Sequence, residues 1–260
     1  MIMPGALDEF RAYIRNDISG YTTELITVDQ LDDAERATLP AAWLDILGHD
    51  EHETVQAAIQ AWQRCMPDRF PEFLAGFAQN GFGVYLARST RPEPEAAHTT
   101  LVYAFDNADL YPARFHYRLG FLPNTDAELP EYWPNMPVQL QAFYRELHDG
   151  FLDEIGAAPG GLERVANFWP LGNEGPDPAD VIYVARDSTG NKYELPEAQW
   201  PDLTKLIPVC RNRGRARILI DISRPASEAA WEWWDGDLEA VPALWPDLDL
   251  WLVRLFDIRS

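Results

Sequence analysis

The chain has 260 residues, of which 47% are hydrophobic and 12% aromatic, a composition typical of a globular protein and not of a disordered one. Its formal net charge is −21, and acidic residues outnumber basic ones two to one on both sides of Gly120. Such a surface disfavours direct binding to nucleic acid or to an anionic membrane. The acidity either favours a basic partner or only keeps the protein soluble.

The sequence lacks the signals of export and membrane insertion. No apolar run approaches the roughly 20 residues that a membrane-spanning helix needs. The first residues, MIMPGALDEF, have neither the basic nor the apolar region of a signal peptide. Cys65 and Cys210 are too few and too far apart for a disulfide framework or a zinc cluster. We therefore expect a cytoplasmic protein with two buried, reduced thiols.

The first 120 residues are predicted to be mainly helical, with one β-hairpin. Apolar residues at helical spacing indicate three helices before residue 81, and Asp50 with Glu53 resembles a capping box at the start of the second. Two strands are predicted at 82–88 and 99–105. The link between them, STRPEPEAAH, is polar and proline-rich and is predicted to be an exposed loop.

The segment Met136–Phe151 has the clearest helical pattern. Pro137 suits the first helical position, and Asp149-Gly150 is a stop signal after which the last residue of the segment can fold back onto the helix. His148, next to this stop, is expected to be a cation favoured by the helix C-terminus and not a catalytic group. The predicted buried stripe has i, i+3, i+4, i+7 spacing and consists of Leu140, Phe143, Tyr144 and Leu147.

Beyond residue 151, short β-like runs alternate with Gly, Pro and Asp turns, and a helix closes the chain. This order predicts an α+β fold, with a mixed, mostly antiparallel sheet flanked by helices. A boundary near residue 120 divides the chain into 1–120 and 121–260. The first part is either a separate domain or an elaboration of the same sheet. Strands are predicted at 181–186, 206–210, 217–222 and 230–234, and the stripe of the last helix at Leu248, Trp251, Leu252 and Leu255.

Three segments occur in one order over residues 120–258. They are the helix MPVQLQAFYRELHDGF, the hairpin LIPVCRNRGRARILIDIS and the helix WPDLDLWLVRLFD. Together they resemble the SUKH superfamily, which includes bacterial immunity proteins and a yeast regulator of cell-wall synthesis. Short members of the superfamily have no helical segment like 1–120.

The resemblance implies a SUKH-like fold for 121–260 and a function without catalysis. It implies an immunity protein that binds and neutralises a cognate bacterial toxin by occluding the active site or substrate surface of that toxin. Such toxins are often nucleases or other nucleic-acid-modifying enzymes, whose basic clefts an acidic protein would suit. The alternative that the resemblance allows is a non-enzymatic regulatory scaffold.

A tryptophan cluster with acidic neighbours is the candidate partner-binding site. On a strand, Trp231 and Trp233 share one face and Trp234 occupies the other, so at least one face is expected to be core. An exposed tryptophan ringed by carboxylates would anchor a basic partner, although exposed indoles also stack on sugars. The candidate residues are Trp231, Glu232, Trp233, Asp235, Asp237 and Glu239.

Other charged motifs are assigned structural roles. The sequence GHDEHE, beginning at Gly48, resembles a metal site by composition only, because its spacing matches no zinc motif. The alternating arginines are Arg211, Arg213, Arg215 and Arg217. They form either a patch for an anion or an acidic partner, or a solvated face whose charges can pair with the abundant carboxylates, and we expect the second. No residue is predicted to be catalytic, to bind a cofactor or to ligate a metal.

Overall fold

A long mixed sheet organises the fold in the computed structural model. The structure describes residues 6–15, 22–50, 53–92, 95–106, 114–124, 129–153, 160–174, 177–212, 214–225 and 229–254. Twelve strands hydrogen-bond in the order β1-β2-β3-β4-β5-β6-β9-β10-β11-β12-β7-β8. Neighbouring strands are antiparallel except β12 and β7, which are parallel. The α+β class and the mixed, mostly antiparallel sheet are therefore confirmed.

The elements follow the chain with short connections. The helices are α1 (Ala6–Arg15), α2 (Asp33–Thr38), α3 (Ala41–Leu47), α4 (Thr54–Cys65), α5 (Pro71–Asn80), α6 (Val138–Ala142), α7 (Leu171–Glu174) and α8 (Leu244–Arg254). The strands are β1 (Thr22–Leu25), β2 (Gly81–Pro92), β3 (Glu95–Asp106), β4 (Phe115–Phe121), β5 (Phe151–Asp153), β6 (Gly160–Leu162), β7 (Ile182–Arg186), β8 (Lys192–Glu194), β9 (Leu206–Arg211), β10 (Arg217–Asp221), β11 (Ala230–Trp234) and β12 (Asp237–Val241).

One face of the sheet carries the main helical layer. Helices α3, α4, α5, α6 and α8 pack there in a single cluster with the inward residues of the central strands. Strands β7 and β8 contribute none of their described residues to that cluster. On the opposite face, α1 covers β2 to β5, and α7 with the segment around Leu203 covers β9 to β12 and β7. We call the face with the main helical layer the first face and the opposite one the second face.

The predicted boundary near residue 120 falls within strand β4. This strand pairs with β3 on one side and with β5 on the other, so the first 120 residues and the rest of the chain share one sheet. Trp43 of α3 strengthens the connection, because its Nε1 donates to the carbonyl oxygen of Leu147 at 2.7 Å. The indole thus satisfies one of the carbonyls left without a partner at the end of a helical segment.

The predicted loop between β2 and β3 is wrong, because both strands extend into it. Ser89 is fully buried, and its Oγ lies 3.2 Å from Oγ1 of Thr23 and 3.1 Å from Oγ1 of Thr100. These three hydroxyls form a hydrogen-bonded row across β1, β2 and β3. Strand β1, which no apolar pattern in the sequence predicts, pairs with the extension of β2 and allows the polar residues of that extension to be buried.

The Met136–Phe151 segment is helical over a shorter range than predicted. All four residues of its apolar stripe are buried, which confirms the stripe. Pro137 is the N-cap and not the first helical residue, and α6 passes into a π-helical turn at Phe143–Leu147. The last residue of the segment, Phe151, begins strand β5, and its ring stacks on that of His148 at the end of the helical segment. Gly150 provides the positive φ of 85° that this change of direction requires.

Helix α5 is capped by a residue from the other end of the chain. The buried carboxylate of Asp249 in α8 accepts hydrogen bonds from the backbone N–H groups of Glu72 and Phe73 at 2.9 and 2.8 Å. These are donors of the first turn, which have no partner within their own helix. The capping box predicted for Asp50 and Glu53 is wrong, since Glu53 is the N-cap of α4 but makes no side-chain cap bond.

Candidate functional site

The tryptophan cluster lies on a tight hairpin formed by β11 and β12. Trp234 pairs with Asp237, and Asp235 and Gly236 form the two-residue turn between them, with φ values of 47° and 105°. Two successive positive φ values are typical of hairpin turns with an Asp-Gly sequence. The carbonyl oxygen of Gly236 accepts a hydrogen bond from the N–H of Ile182 at 3.0 Å, which joins β7 to this end of the hairpin.

Alternation along the strand separates the tryptophans as predicted, but the exposed ring is Trp234. Trp231 is only 6% exposed and packs in the second-face cluster, where Trp233 is partly buried. Trp234 points to the first face and is 55% exposed. The prediction that Trp231 is a surface contact is therefore wrong, because its ring belongs to the core beneath the hairpin. Alternation along the strand predicts Trp234 on the opposite face, but Trp234 is not among the candidate partner-binding residues.

Two rows of side chains cross the open end of the first face. In the first row, Asp237 of β12 lies between Trp234 of β11 and Ile182 of β7, which is 50% exposed. In the second row, Glu232, Glu239, Val184 and Glu194 follow one another across β11, β12, β7 and β8. We call this surface the acidic patch and define it as Ile182, Glu194, Glu232, Trp234, Asp237 and Glu239.

Two cations partly neutralise the acidic patch. Lys192 lies 2.9 Å from Glu239 and 3.7 Å from Asp237, and Arg186 forms a two-pronged ion pair with Glu239. Burial alone would raise the pKa of Glu239, but hydrogen bonds from Arg186 and Lys192 outweigh this effect and lower it. Glu239 is thus a structural carboxylate that holds β7 and β8 to β12. Asp237 and Glu194 remain accessible to a partner.

Two arginines of the β9–β10 hairpin form ion pairs with carboxylates from other segments. Arg211 contacts Glu163 at 2.5 Å and Arg215 contacts Asp235 at 3.5 Å, in line with the expected pairing with carboxylates. Arg213 lies outside the described residues. Part of the GHDEHE motif also lies outside them, and the described residues contain no group of three or more His, Cys, Asp and Glu placed to hold a metal ion.

A buried hydrogen-bonded chain links Trp62, Tyr103 and His148. Trp62 Nε1 donates to the Tyr103 hydroxyl at 3.2 Å, and this hydroxyl lies 2.8 Å from Nε2 of His148. An indole can only donate, so the tyrosine hydroxyl accepts from it, and the same hydroxyl shares a second hydrogen bond with Nε2. Trp62 falls in a predicted helix and Tyr103 in a predicted strand, but no sequence signal connected them with each other or with His148.

These three hydrogen-bonded residues are sealed from solvent and have a structural role. Tyr103 and His148 are fully buried. Burial lowers the pKa of His148 to about 3 and raises that of Tyr103, so both groups are neutral near pH 7. The prediction that His148 is a cation is therefore wrong, because desolvation disfavours its charged form more than the helix end favours it.

No helix within the described residues is long and apolar enough to cross a membrane. The chain matches no protein-family model, no curated protein and no solved structure.

Proposed function

We propose that this protein binds a basic protein partner through the acidic patch. We further propose that the partner is a toxin domain and that the protein acts as its immunity protein, in the cytoplasm of the cell that makes both. In this proposal residues 121–260 have the SUKH-like fold, and the strands of residues 1–120 extend its sheet. Neutralisation would occur by occlusion of the active site or substrate surface of the toxin, without a cofactor and without chemistry in the immunity protein.

The row formed by Trp234, Asp237 and Ile182 is the observation that carries the proposal. An exposed indole and an exposed isoleucine lie on either side of a carboxylate, on three adjacent strands. Tryptophan is enriched among the residues that dominate binding energy, especially where neighbouring contacts exclude water. The arrangement offers two apolar contacts and a charge between them, which suits a partner with an arginine or lysine flanked by apolar surface.

The charge of the whole protein supports the same class of partner. A net charge of −21 would attract a basic surface over a distance and raise the rate of encounter. The segment 177–202, which contains β7 and β8, has six acidic and two basic residues, so the excess continues next to the patch. Nucleases and other enzymes that hold phosphate need basic clefts, and an acidic, aromatic surface is complementary to such a cleft.

Co-expression with neighbouring toxin genes tests the function directly. Each toxin domain encoded beside the gene of this protein would be expressed with and without the full chain, and cell survival and co-purification would be measured. The proposal expects one toxin whose killing the protein suppresses and which it retains during purification. If cells die while the soluble protein accumulates, immunity to that toxin is excluded.

A regulatory scaffold would give a different result in the same cells. Its gene would lie in a housekeeping operon, and its deletion would alter growth or envelope integrity in the absence of any toxin. An immunity protein, in contrast, should be dispensable once its toxin gene has been deleted. The double deletion therefore separates the two functions that the resemblance allows.

A further inference from the structure

A small cavity opens beside the start of β3 and the end of β4, which lie far from the acidic patch in the strand order of the sheet. Its volume is about 200 Å³. This is below the range of about 300–1,000 Å³ that pockets for drug-sized ligands occupy, so the cavity fits an ion or the anionic end of a small molecule. It is lined by Ala97, His98, Thr99, Phe121, Leu122 and Arg164.

The guanidinium of Arg164 is held in a fixed orientation at this cavity. Its Nε donates to Oδ2 of Asp149 at 3.0 Å, and its central carbon lies 4.4 Å from the centre of the Phe121 ring. Asp149 is itself held firmly, since its other oxygen accepts from Asn124 Nδ2 at 2.6 Å and from the N–H of Val165 at 2.8 Å. The ion pair and the ring together fix the plane of the guanidinium.

The orientation leaves the two terminal amino groups of Arg164 as donors for a ligand. Within the described residues, the only hydrogen bond that the Arg164 side chain makes is the one from Nε to Asp149. A guanidinium whose Nε is occupied presents its remaining donors as a fork, which matches two oxygens of a carboxylate or phosphate. His98 and Thr99 add polar groups to the wall, and the His98 ring contacts the same Phe121 ring at 5.7 Å.

We propose that this cavity binds a small oxyanion, a phosphate or a carboxylate, through the terminal amino groups of Arg164. Asp149 is the positioning residue, because it directs the guanidinium without reaching the ligand. Phe121 is the platform on which the guanidinium rests. The proposal is independent of the acidic patch, which lies at the β12–β7–β8 end of the sheet, and so does not depend on the immunity function.

Titration of the full-length protein with sodium phosphate and with sodium acetate tests this site. Ionic strength is held constant with sodium chloride, and binding is followed by calorimetry and by the rise in melting temperature that a ligand specific for the native state produces. We expect at least one of the two anions to saturate at millimolar concentrations. The anion that saturates first identifies the ligand as phosphate-like or carboxylate-like.

Two variants and one control make the test specific. Arg164→Lys keeps the charge but loses the fork, and should weaken binding by roughly tenfold or more. Ala97→Leu narrows the cavity, leaves the pair with Asp149 intact and should also weaken binding. Arg11→Lys, at an exposed arginine in α1, should leave binding unchanged. Absence of saturation by either anion, or equal affinity in the wild type and in Arg164→Lys, would overturn the proposal.

Discussion

The imidazole of His148 packs directly on the backbone of Gly120. A Cβ atom placed on Gly120 would lie 2.4 Å from both Cε1 and Nδ1 of the ring. Strand β4 therefore needs a residue without a side chain at this point, because the ring occupies the space that a methyl group would take. The same ring is hydrogen-bonded to the hydroxyl of Tyr103, so displacing it would also break the buried hydrogen bonds that connect it to Trp62.

Gly120→Ala should destabilise the protein by about 1–3 kcal/mol, the usual range for an overpacked core. The added methyl group must push His148 away from β4 and from Tyr103. The free energy of unfolding would be measured by chemical denaturation. Gly214→Ala is the control, because Gly214 is exposed and the nearest contact of its new Cβ, Asn212 Oδ1, is at 3.2 Å. We expect the control to change stability by less than about 0.5 kcal/mol. Equal losses in both variants would contradict the packing argument.

His148 should make stability depend on pH below neutrality. Its pKa is lowered to about 3 by burial, whereas the unfolded chain has the ordinary value of about 6.5. The unfolded state therefore binds a proton that the folded state does not, and stability is lost as the pH falls from 6.5 towards 3. From pH 7.5 to pH 5, wild type should lose about 2 kcal/mol more than His148→Gln. Parallel pH profiles for the two proteins would show that the ring is not buried in its neutral form.

The cap supplied by Asp249 should be a substantial link between α5 and α8. In Asp249→Ala, the N–H groups of Glu72 and Phe73 lose their acceptor in a buried site, which should cost about 2–3 kcal/mol. Asp249→Asn keeps one side-chain oxygen and should cost about half as much. Denaturant unfolding of the three proteins would check this order. If Asn and Ala were equally destabilising, the charge of the carboxylate and not its two hydrogen bonds would be the source of stability.

Trp234 should dominate binding of the proposed toxin partner. Trp234→Ala should weaken the complex by roughly tenfold or more, which corresponds to about 1.4 kcal/mol, while leaving the stability of the free protein almost unchanged. Trp169→Ala is a matched control, because Trp169 is also 55% exposed but lies outside the strands of the acidic patch. Surface plasmon resonance would compare the affinities of the two variants for the toxin domain whose killing the protein suppresses. Equal effects would place the interface elsewhere.

The charge of the patch is best tested at Asp237 and not at Glu239. Glu239 holds Arg186 and Lys192, so its reversal would disturb β7 and β8 as well as any interface. Asp237→Asn should slow association, and the association rate of the wild type should fall as salt rises. Asp33→Asn, at an exposed aspartate in α2, serves as the control. An association rate independent of salt would argue against electrostatic attraction.

Local periodicity predicted the elements that bury a complete apolar stripe. The helices α4 and α5 follow from the spacing of their apolar residues. The strands β9, β10 and β11 follow instead from short β-like runs bounded by turn residues, and β9 and β10 are buried at almost every position. The buried stripe of the Met136–Phe151 segment was predicted for the same reason. The π-helical turn was not, since hydrogen bonding from His148 N–H to the carbonyl oxygen of Phe143 leaves no trace in the apolar pattern.

The sequence pattern did not predict features that depend on contacts with residues far away in the chain. Strand β1 and edge strand β8 are short and polar, and each forms because a longer strand offers an edge. Alternation separated Trp231 from Trp234 but did not tell which of the two would be covered. The second face is covered by α7 and by the segment around Leu203, which bury Trp231. On the first face the main helical layer ends, and Trp234 is left exposed.

Because β7 pairs in parallel with β12, this end of the sheet cannot form during synthesis until β12 has been made. Strands β7 and β8 leave the ribosome before β9, yet their place in the sheet is next to β12, which is made more than fifty residues after β7 begins. Until Asp237–Val241 has emerged, the β7–β8 hairpin has no strand to dock on, and Asp237 cannot lie between Trp234 and Ile182. A nascent or truncated chain that ends before β12 would contain every earlier strand and still lack the acidic patch. The surface proposed to bind the partner is thus the last part of the sheet to exist.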